Sequence, residues 1–100
     1  MIDYKLLKEQ YKTFKFLDKS VPFYELFESK DYPIVQVNDA SYHEIDGKKI
    51  IIGFCGVFEW RGNNIYPLDY DSYIASMPVI AYMEFEHDGK TCLDILVESW

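Results

Sequence analysis

One short segment of the chain has residue types and a spacing found in metal sites. Asp69, Asp71 and Ser72 follow the order in which a calcium-binding loop begins. Such a loop also requires a further Asp or Asn, a glycine and a distal glutamate at fixed offsets, and these are missing. We therefore interpret the segment as a turn whose aspartates accept hydrogen bonds from nearby backbone N–H groups. The sequence predicts no metal here.

Two cysteines and two histidines are the other candidates for chemistry: His43, Cys55, His87 and Cys92. Structural zinc sites usually draw paired ligands from positions a few residues apart, and only His87 and Cys92 approach that spacing. Cys55 lies in an apolar run, where a free cysteine commonly behaves as a small buried hydrophobe. Phosphate-binding loops, metalloprotease motifs and serine nucleophile motifs are missing from the sequence. We therefore expect no cofactor and favour a protein that is not an enzyme, although catalysis by scattered residues stays open.

The end of the chain, residues 78–100, reads as a β-hairpin. Two alternating apolar and polar runs flank Asp88-Gly89, which is a strong signal for a tight turn between strands. A two-residue turn would place Glu84 opposite Leu93, whereas a three-residue turn would place Met83 there. We favour the three-residue turn because it separates apolar from charged side chains on the two faces.

The favoured register predicts one acidic hairpin face that also carries a tyrosine. Tyrosine beside carboxylates suits a protein interface, where its ring supplies rigid contact area. The aspartates and tyrosine of the preceding loop could extend this surface. The alternative is that the face is only solvated, as in many antiparallel sheets. We predict a partner-binding surface formed by Tyr82, Glu84, Glu86, Asp94, Glu98, Asp69, Tyr70 and Asp71.

The charge of the chain limits its partners. The net charge is −7, and it is uneven: residues 1–19 carry five lysines and three acidic residues, whereas residues 20–100 carry five basic and fourteen acidic residues. This balance argues against direct binding of nucleic acid and against an anionic membrane surface. It favours a protein partner with a basic surface. A nucleic-acid binder that uses the N-terminal lysines is the open alternative.

Length and composition predict one domain over residues 1–100. Apolar residues make up 49% of the chain, enough to form a core without disulfides or metal. Because no apolar run is long enough to span a bilayer and the N-terminus lacks the apolar stretch of a signal peptide, we expect a cytoplasmic protein with reduced thiols.

The elements that must position these residues follow from periodicity and turn signals. Apolar residues recur at helical spacing over 3–18, and a second short helix is predicted to begin at Pro22 and to stop before Lys30, because Pro33 disfavours helical geometry at Tyr32. We predict an α+β fold in which one or two N-terminal helices, within residues 1–30, pack on a four- to five-stranded antiparallel meander over 34–100. An exposed edge strand could form a homodimer. The expected strands and turns are 34–37, a hairpin at Asp46-Gly47, a long central strand over 48–60, a turn at 61–64 and an edge strand at 65–68.

The last third of the chain resembles small acidic proteins carried by phages and other mobile elements. The resemblance lies in Leu68-Asp-Tyr-Asp-Ser-Tyr, Val79-x-Ala-Tyr-x-x-Phe and Leu93-Asp-Ile-Leu-Val-Glu-x-Trp. That class includes inhibitors of host defence such as anti-CRISPR proteins. The resemblance implies a non-enzymatic inhibitor of a host defence protein or of a protein that handles nucleic acid. An immunity or antitoxin-like protein is the alternative.

Overall fold

The structure is a computed structural model, and it describes residues 3–27, 32–40, 49–53, 56–62, 64–68 and 76–98. Two short helices accompany a set of strands that form one sheet. In chain order the elements are α1 Tyr4–Gln10, β1 Lys15–Pro22, α2 Phe23–Phe27, β2 Val35–Asp39, β3 Lys49–Gly53, β4 Gly56–Arg61, β5 Asn64–Leu68, β6 Pro78–His87 and β7 Lys90–Val97.

The sheet is mixed, and its described strands lie in the order β1-β6-β7-β2-β3-β4-β5. β2 runs parallel to β7, and the other neighbouring pairs are antiparallel. The predicted α+β class is confirmed. The predicted antiparallel meander of four or five strands is wrong, because β1 adds an edge strand and the parallel β2–β7 pair joins a meander to a hairpin. A parallel pair needs a long crossover connection, which local alternation does not reveal.

The predicted helix over 3–18 is half as long in the structure. α1 begins as expected, because the Asp3 side chain accepts a 3.1 Å hydrogen bond from the Leu6 backbone N–H. The helix ends at Gln10, and residues from Lys15 onward form β1 at the edge of the sheet. The apolar residues near the end of this segment fit both helical spacing and strand alternation. Pairing with β6 stabilises the strand, so this part of the chain is not helical. The prediction that residues 1–30 are helical is therefore wrong for β1.

The sheet has a core on each face, which we call the α2 face and the α1 face. On the α2 face, Phe27 packs on the buried strand residues Val37, Ile50, Leu93 and Ile95. On the α1 face, Leu7 packs on a cluster of Ala40, Ile80, Ala81 and Leu96. The short second helix predicted after Pro22 is therefore present as α2, and it covers the opposite face from α1.

The predicted central strand over 48–60 is a hairpin. β3 and β4 pair with each other, and Gly53 lies opposite Gly56, so the chain reverses between these two glycines. The turn expected at 61–64 is confirmed by the pairing of Arg61 with Asn64, and Pro67 lies in the edge strand β5 as predicted. The hairpin predicted at Asp46-Gly47 lies outside the described residues.

The β6–β7 hairpin has the two-residue turn that we disfavoured. Asp88 and Gly89 both have positive φ, at 51° and 74°, which is the geometry of a tight hairpin turn. Val79 faces Val97 as predicted, but a bulge follows, and Glu84 lies opposite Leu93. The bulge shifts every later pair by one residue, so a single register read from alternation is wrong for most of the hairpin.

Candidate functional site

Two of the predicted surface residues, Glu84 and Glu86, lie together on the α2 face near the β6–β7 turn. Both side chains are exposed. The Tyr32 hydroxyl donates a 3.0 Å hydrogen bond to Glu84 Oε2, and Thr91 Oγ1 donates a 2.7 Å bond to Glu86 Oε1. Burial and the hydrogen bond to Glu84 raise the pKa of Tyr32 to about 12. This acidic pair is therefore held by neighbours but stays open to solvent.

Tyr82 shares the α2 face with this pair, but it is a packing residue. Its side chain is half-buried, and its ring makes an edge-to-face contact with Phe27 at 5.5 Å between centroids. Tyr82 packs against the core beneath α2. Its ring is thus less accessible than a partner-binding tyrosine requires, and its predicted role stays a prediction.

The other predicted residues do not join this surface. Asp94 lies opposite Met83, so it points to the α1 face, away from Glu84. Glu98 lies just past the end of β7, where its backbone N–H donates a 2.9 Å bond to Pro78 O. The single acidic face that we predicted for the hairpin is therefore wrong, because the bulge in β6 changes which residues share a side. Asp69, Tyr70 and Asp71 lie outside the described residues.

Asp94 is half-buried on the α1 face, next to a buried amide. Asn38 Nδ2 donates a 2.6 Å hydrogen bond to Asp94 Oδ1 and a 2.9 Å bond to Ile95 O. Burial raises the pKa of Asp94 to about 6, although the Asn38 hydrogen bond and the positive charge of Lys49 oppose the shift. Sequence reasoning placed Asp94 on the surface and gave no sign of this environment.

The α1 face also carries a groove that sequence reasoning missed. α1 covers one part of this face, and elsewhere on the face a groove of about 470 Å³, open among the described residues, crosses the sheet. One end of the groove lies at β7 and the segment that precedes β2. The other end lies at the edge strand β5. Its apolar lining is Pro33, Ile34, Ile51, Phe58, Ile65 and Cys92.

Polar and charged residues of the β6–β7 turn lie at one end of the groove. His87, Asp88 and Lys90 all contribute to its lining and are exposed. His87 Nε2 lies 3.4 Å from Asp88 Oδ2. No ion pair involves Lys90 among the residues that the structure describes. The groove is therefore apolar along its length and charged at one end.

An exposed tryptophan beside Ile65 extends the apolar surface beyond the groove lining. Trp60 and Ile65 are cross-strand partners, and they are 41% and 50% exposed. The Trp60 indole N–H donates a hydrogen bond to Gly62 O, which fixes the ring beside the turn. An apolar groove with an exposed tryptophan beside it offers a surface on which apolar side chains of another molecule can be buried.

The groove can bind apolar groups, but it shows little sign of catalytic chemistry. Cys92 and His87, the pair with the closest approach to zinc spacing, both line it. Cys92 is only 1% exposed, and its thiol contacts the Lys90 backbone oxygen at 3.8 Å. A nucleophile needs access to its substrate and a base within hydrogen-bond reach. The described geometry gives this thiol neither.

One sequence signal could have indicated the groove. The segment from Ile50 to Phe58 is apolar at both alternating sets of positions, so one set had to lie on each face of the sheet. We took this pattern for a buried central strand. It belongs instead to a hairpin whose second face, with Ile51 and Phe58, stays open among the described residues.

Neither helix in the described ranges has the length and apolar character needed to cross a membrane. Comparisons of the chain with protein family models, with curated proteins and with solved structures found no match.

Proposed function

We propose that this chain is a non-enzymatic binding protein and that the groove on its α1 face takes up part of a partner protein. The apolar groove, open among the described residues and extended by Trp60 beside Ile65, is the observation that carries the proposal. Exposed apolar surface of this kind gains free energy when a partner covers it. Tryptophan is also among the residues most often central to protein interfaces.

The net charge indicates a partner with a basic surface. At −7, the chain attracts basic proteins over a distance of about one Debye length, roughly 8 Å at physiological salt. The exposed pair Glu84 and Glu86 contributes to this field from the opposite face. Such charges raise association rates more than they raise final affinity. The groove would therefore supply most of the binding free energy, and the acidic residues would speed encounter.

The lining of the groove supports binding over catalysis. Its polar lining residues, His87, Asp88 and Lys90, lie only at the β6–β7 turn, and the rest of the lining is apolar or glycine. Asp94, whose pKa is raised, is not among the lining residues. A catalytic pocket usually brings several polar groups together around the reacting atoms. The geometry thus supports a surface that recognises shape and apolar area.

The narrower expectation is that the partner belongs to a host defence system and that the chain inhibits it. This expectation rests on the resemblance of the C-terminal third to small acidic proteins of mobile elements. An immunity or antitoxin-like role would use the same groove on a different target. Both remain proposals, and identification of the partner distinguishes them.

The test is a quantitative capture experiment from native-host lysate with matched variants. Phe58→Asp places a charge in the groove, whereas Tyr24→Asp places one on α2, where Tyr24 is 51% exposed on the other face. We expect wild type and Tyr24→Asp to enrich the same protein and Phe58→Asp to retain about tenfold less, since one central residue often contributes over 1 kcal/mol. Equal enrichment by all three proteins would reject the groove as the binding surface.

A further inference from the structure

We infer that α1 is a pH-sensitive latch on the sheet: it stays docked while Asp94 is protonated, and it lifts more readily once Asp94 is ionised. The cluster beneath α1 and the lining of the groove share no residue, so the latch does not depend on what the groove binds. The inference rests on how α1 is held, on what lies over Asp94, and on the polar groups around that carboxyl.

One fully buried side chain anchors α1 to the sheet. Leu7 is 1% exposed and packs against Ile80, Ala81 and Leu96, whereas most other side chains of this seven-residue helix are exposed. An isolated helix of this length is not stable in water, so α1 needs this packing to stay formed. Elements with little buried apolar contact open at the lowest free energies within a folded protein. α1 can therefore open locally while the sheet stays folded.

The end of α1 and the turn after it lie over Asp94. Asp94 is opposite Met83 on the α1 face, and Thr13 Oγ1 donates a 3.2 Å hydrogen bond to the sulfur of Met83. Tyr11 is the C-cap residue of α1 and is half-buried. Burial raises the pKa of Tyr11, and the nearby negative charge of Asp94 raises it further. In the docked position this segment therefore shields Asp94 from water.

The polar surroundings of Asp94 compensate only in part for this shielding. Among the described residues, Asp94 accepts one side-chain hydrogen bond, at 2.6 Å from Asn38 Nδ2. The other polar atom of that amide, Asn38 Oδ1, is buried and has no hydrogen-bond partner in the described part of the chain. A buried carboxylate usually needs several donors to remain ionised at little cost. The site therefore favours the neutral acid.

The neighbouring elements supply few charges that oppose this preference. β2 and β6 place uncharged side chains, Gln36 and Met83, directly opposite Asp94. The titratable side chains that the surrounding elements contribute among the described residues are Lys49 of β3, Cys92 of β7, Tyr11 at the end of α1 and Lys8 in its last turn. Lys49 favours the ionised form, whereas the ammonium of Lys8 lies over the Phe16 ring, 5.7 Å from its centre. The remaining charged side chains of α1 and its turn are exposed: Lys5, Glu9 and Lys12.

Docking of α1 and protonation of Asp94 are linked. Burial raises the pKa of Asp94 from 3.8 to about 6, and lifting α1 would return water to the carboxyl and lower this pKa. The docked form therefore binds the proton more tightly than the open form. Docking is strongest below about pH 4 and weakens as the pH rises through 6. Complete release of the burial would raise the open population about fiftyfold between pH 4 and pH 7.

Hydrogen exchange of the full chain, followed by NMR and corrected for intrinsic rates, measures the opening of α1. The reporter is the Tyr11 backbone N–H, which donates a 2.8 Å bond to Leu7 O. We expect its protection to fall at least fivefold from pH 4 to pH 7 and to be insensitive to low urea, as local opening is. Asp94→Asn, a neutral isostere, should keep the pH 4 protection at pH 7. Glu86→Gln removes an exposed carboxylate on the other face and should behave as wild type.

Three outcomes of this experiment would overturn the latch. They are a constant protection in wild type, an equal fall in Asp94→Asn, and a Tyr11 amide that shows the urea dependence of the β7 amides. The last outcome would mean that α1 opens only when the whole protein unfolds.

A reciprocal measurement keeps the inference testable from the other side. Linked equilibria affect each other equally, so weaker docking of α1 should lower the pKa of Asp94. Leu7→Ala removes the anchor of α1, and Phe27→Ala removes the buried residue of α2 on the opposite face. Carboxyl carbon NMR titration should show a pKa of Asp94 lower by at least one pH unit in Leu7→Ala and unchanged in Phe27→Ala. Leu7→Val takes the place of Leu7→Ala if the latter does not fold. An unchanged pKa on weakening Leu7 overturns the latch and leaves the proposed binding function unaffected.

Discussion

The side-chain amide of Asn38 lies 2.6 Å from the carboxylate of Asp94, which links the parallel strands β2 and β7 on the α1 face. The amide donates to a carboxyl group whose pKa burial raises to about 6, so Asp94 is mainly ionised at pH 7 and mainly protonated at pH 4. Asn38 itself is 2% exposed. Through this pair, the stability of the fold should depend on pH.

Replacement of Asp94 by asparagine should change how stability depends on pH. The native pKa of Asp94 lies above its usual 3.8, so the native state binds the proton more tightly than the unfolded chain does. The resulting stabilisation is fully present below about pH 4, is lost as the pH rises through 6, and amounts to about 3 kcal/mol. Urea unfolding of wild type and Asp94→Asn between pH 4 and 7 measures the difference. Curves that stay parallel over this range would contradict a raised pKa.

Removal of the amide partner should be more damaging when Asp94 is ionised. Asn38→Ala deletes the donor, and a hydrogen bond to a charged group contributes about 1.5–3 kcal/mol against roughly 1 kcal/mol for a neutral one. We therefore expect Asn38→Ala to destabilise the protein by about 1 kcal/mol more at pH 7 than at pH 4. Chemical denaturation at the two pH values measures this. In the Asp94→Asn background the pH dependence of the loss should vanish.

The β6–β7 turn should resist side chains at Gly89. Gly89 has a φ of 74°, and a Cβ added there would meet no atom within 4 Å. Gly89→Ala therefore tests backbone conformation without steric collision, and a left-handed residue with a Cβ costs about 1–2 kcal/mol. Thermal unfolding measures the loss. Gly62→Ala, at a φ of 60° with equally open surroundings, is the matched control and should cost a similar amount. A loss at Gly89 near zero would contradict the two-residue turn.

Reversing the charges of Glu84 and Glu86 should show whether they act on the association rate or on the dissociation rate of the complex. Glu84→Lys with Glu86→Lys changes exposed residues, so the free energy of unfolding should change by no more than about 0.5 kcal/mol for each substitution. Association with a basic partner should slow several-fold at low salt, and dissociation should change little, because steering charges act mainly on the association rate. Surface plasmon resonance across a salt series measures both rates. A dominant increase in the dissociation rate would place these glutamates inside the interface instead.

Local signals in the sequence predicted local features well. The Asp3 cap, the short helix after Pro22, the turn before Asn64 and the edge position of Pro67 were all predicted, because each depends on residues close in the chain. The α+β class followed from the order of these signals.

Features that depend on distant residues were not predicted. The parallel pairing of β2 with β7 joins segments almost sixty residues apart, and no local pattern specifies it. The bulge after Val79 moved Asp94 to the other face from Glu84, which divided the predicted acidic surface. The groove combines five separate stretches of chain, so its residues become neighbours only once the strand order is known. Alternation of apolar and polar residues shows which residues share a face of a strand. It does not show which of the two faces other elements cover.

The central claim, that the groove on the α1 face receives the partner, is tested most directly by methyl NMR of the full chain. Isoleucine methyl groups would be observed with and without the partner captured by wild type. The account predicts the largest shift changes at Ile51 and Ile65, which line the groove, and small changes at Ile50 and Ile95 on the α2 face. Changes confined to the α2 face, with the groove methyl groups unaffected, would contradict it.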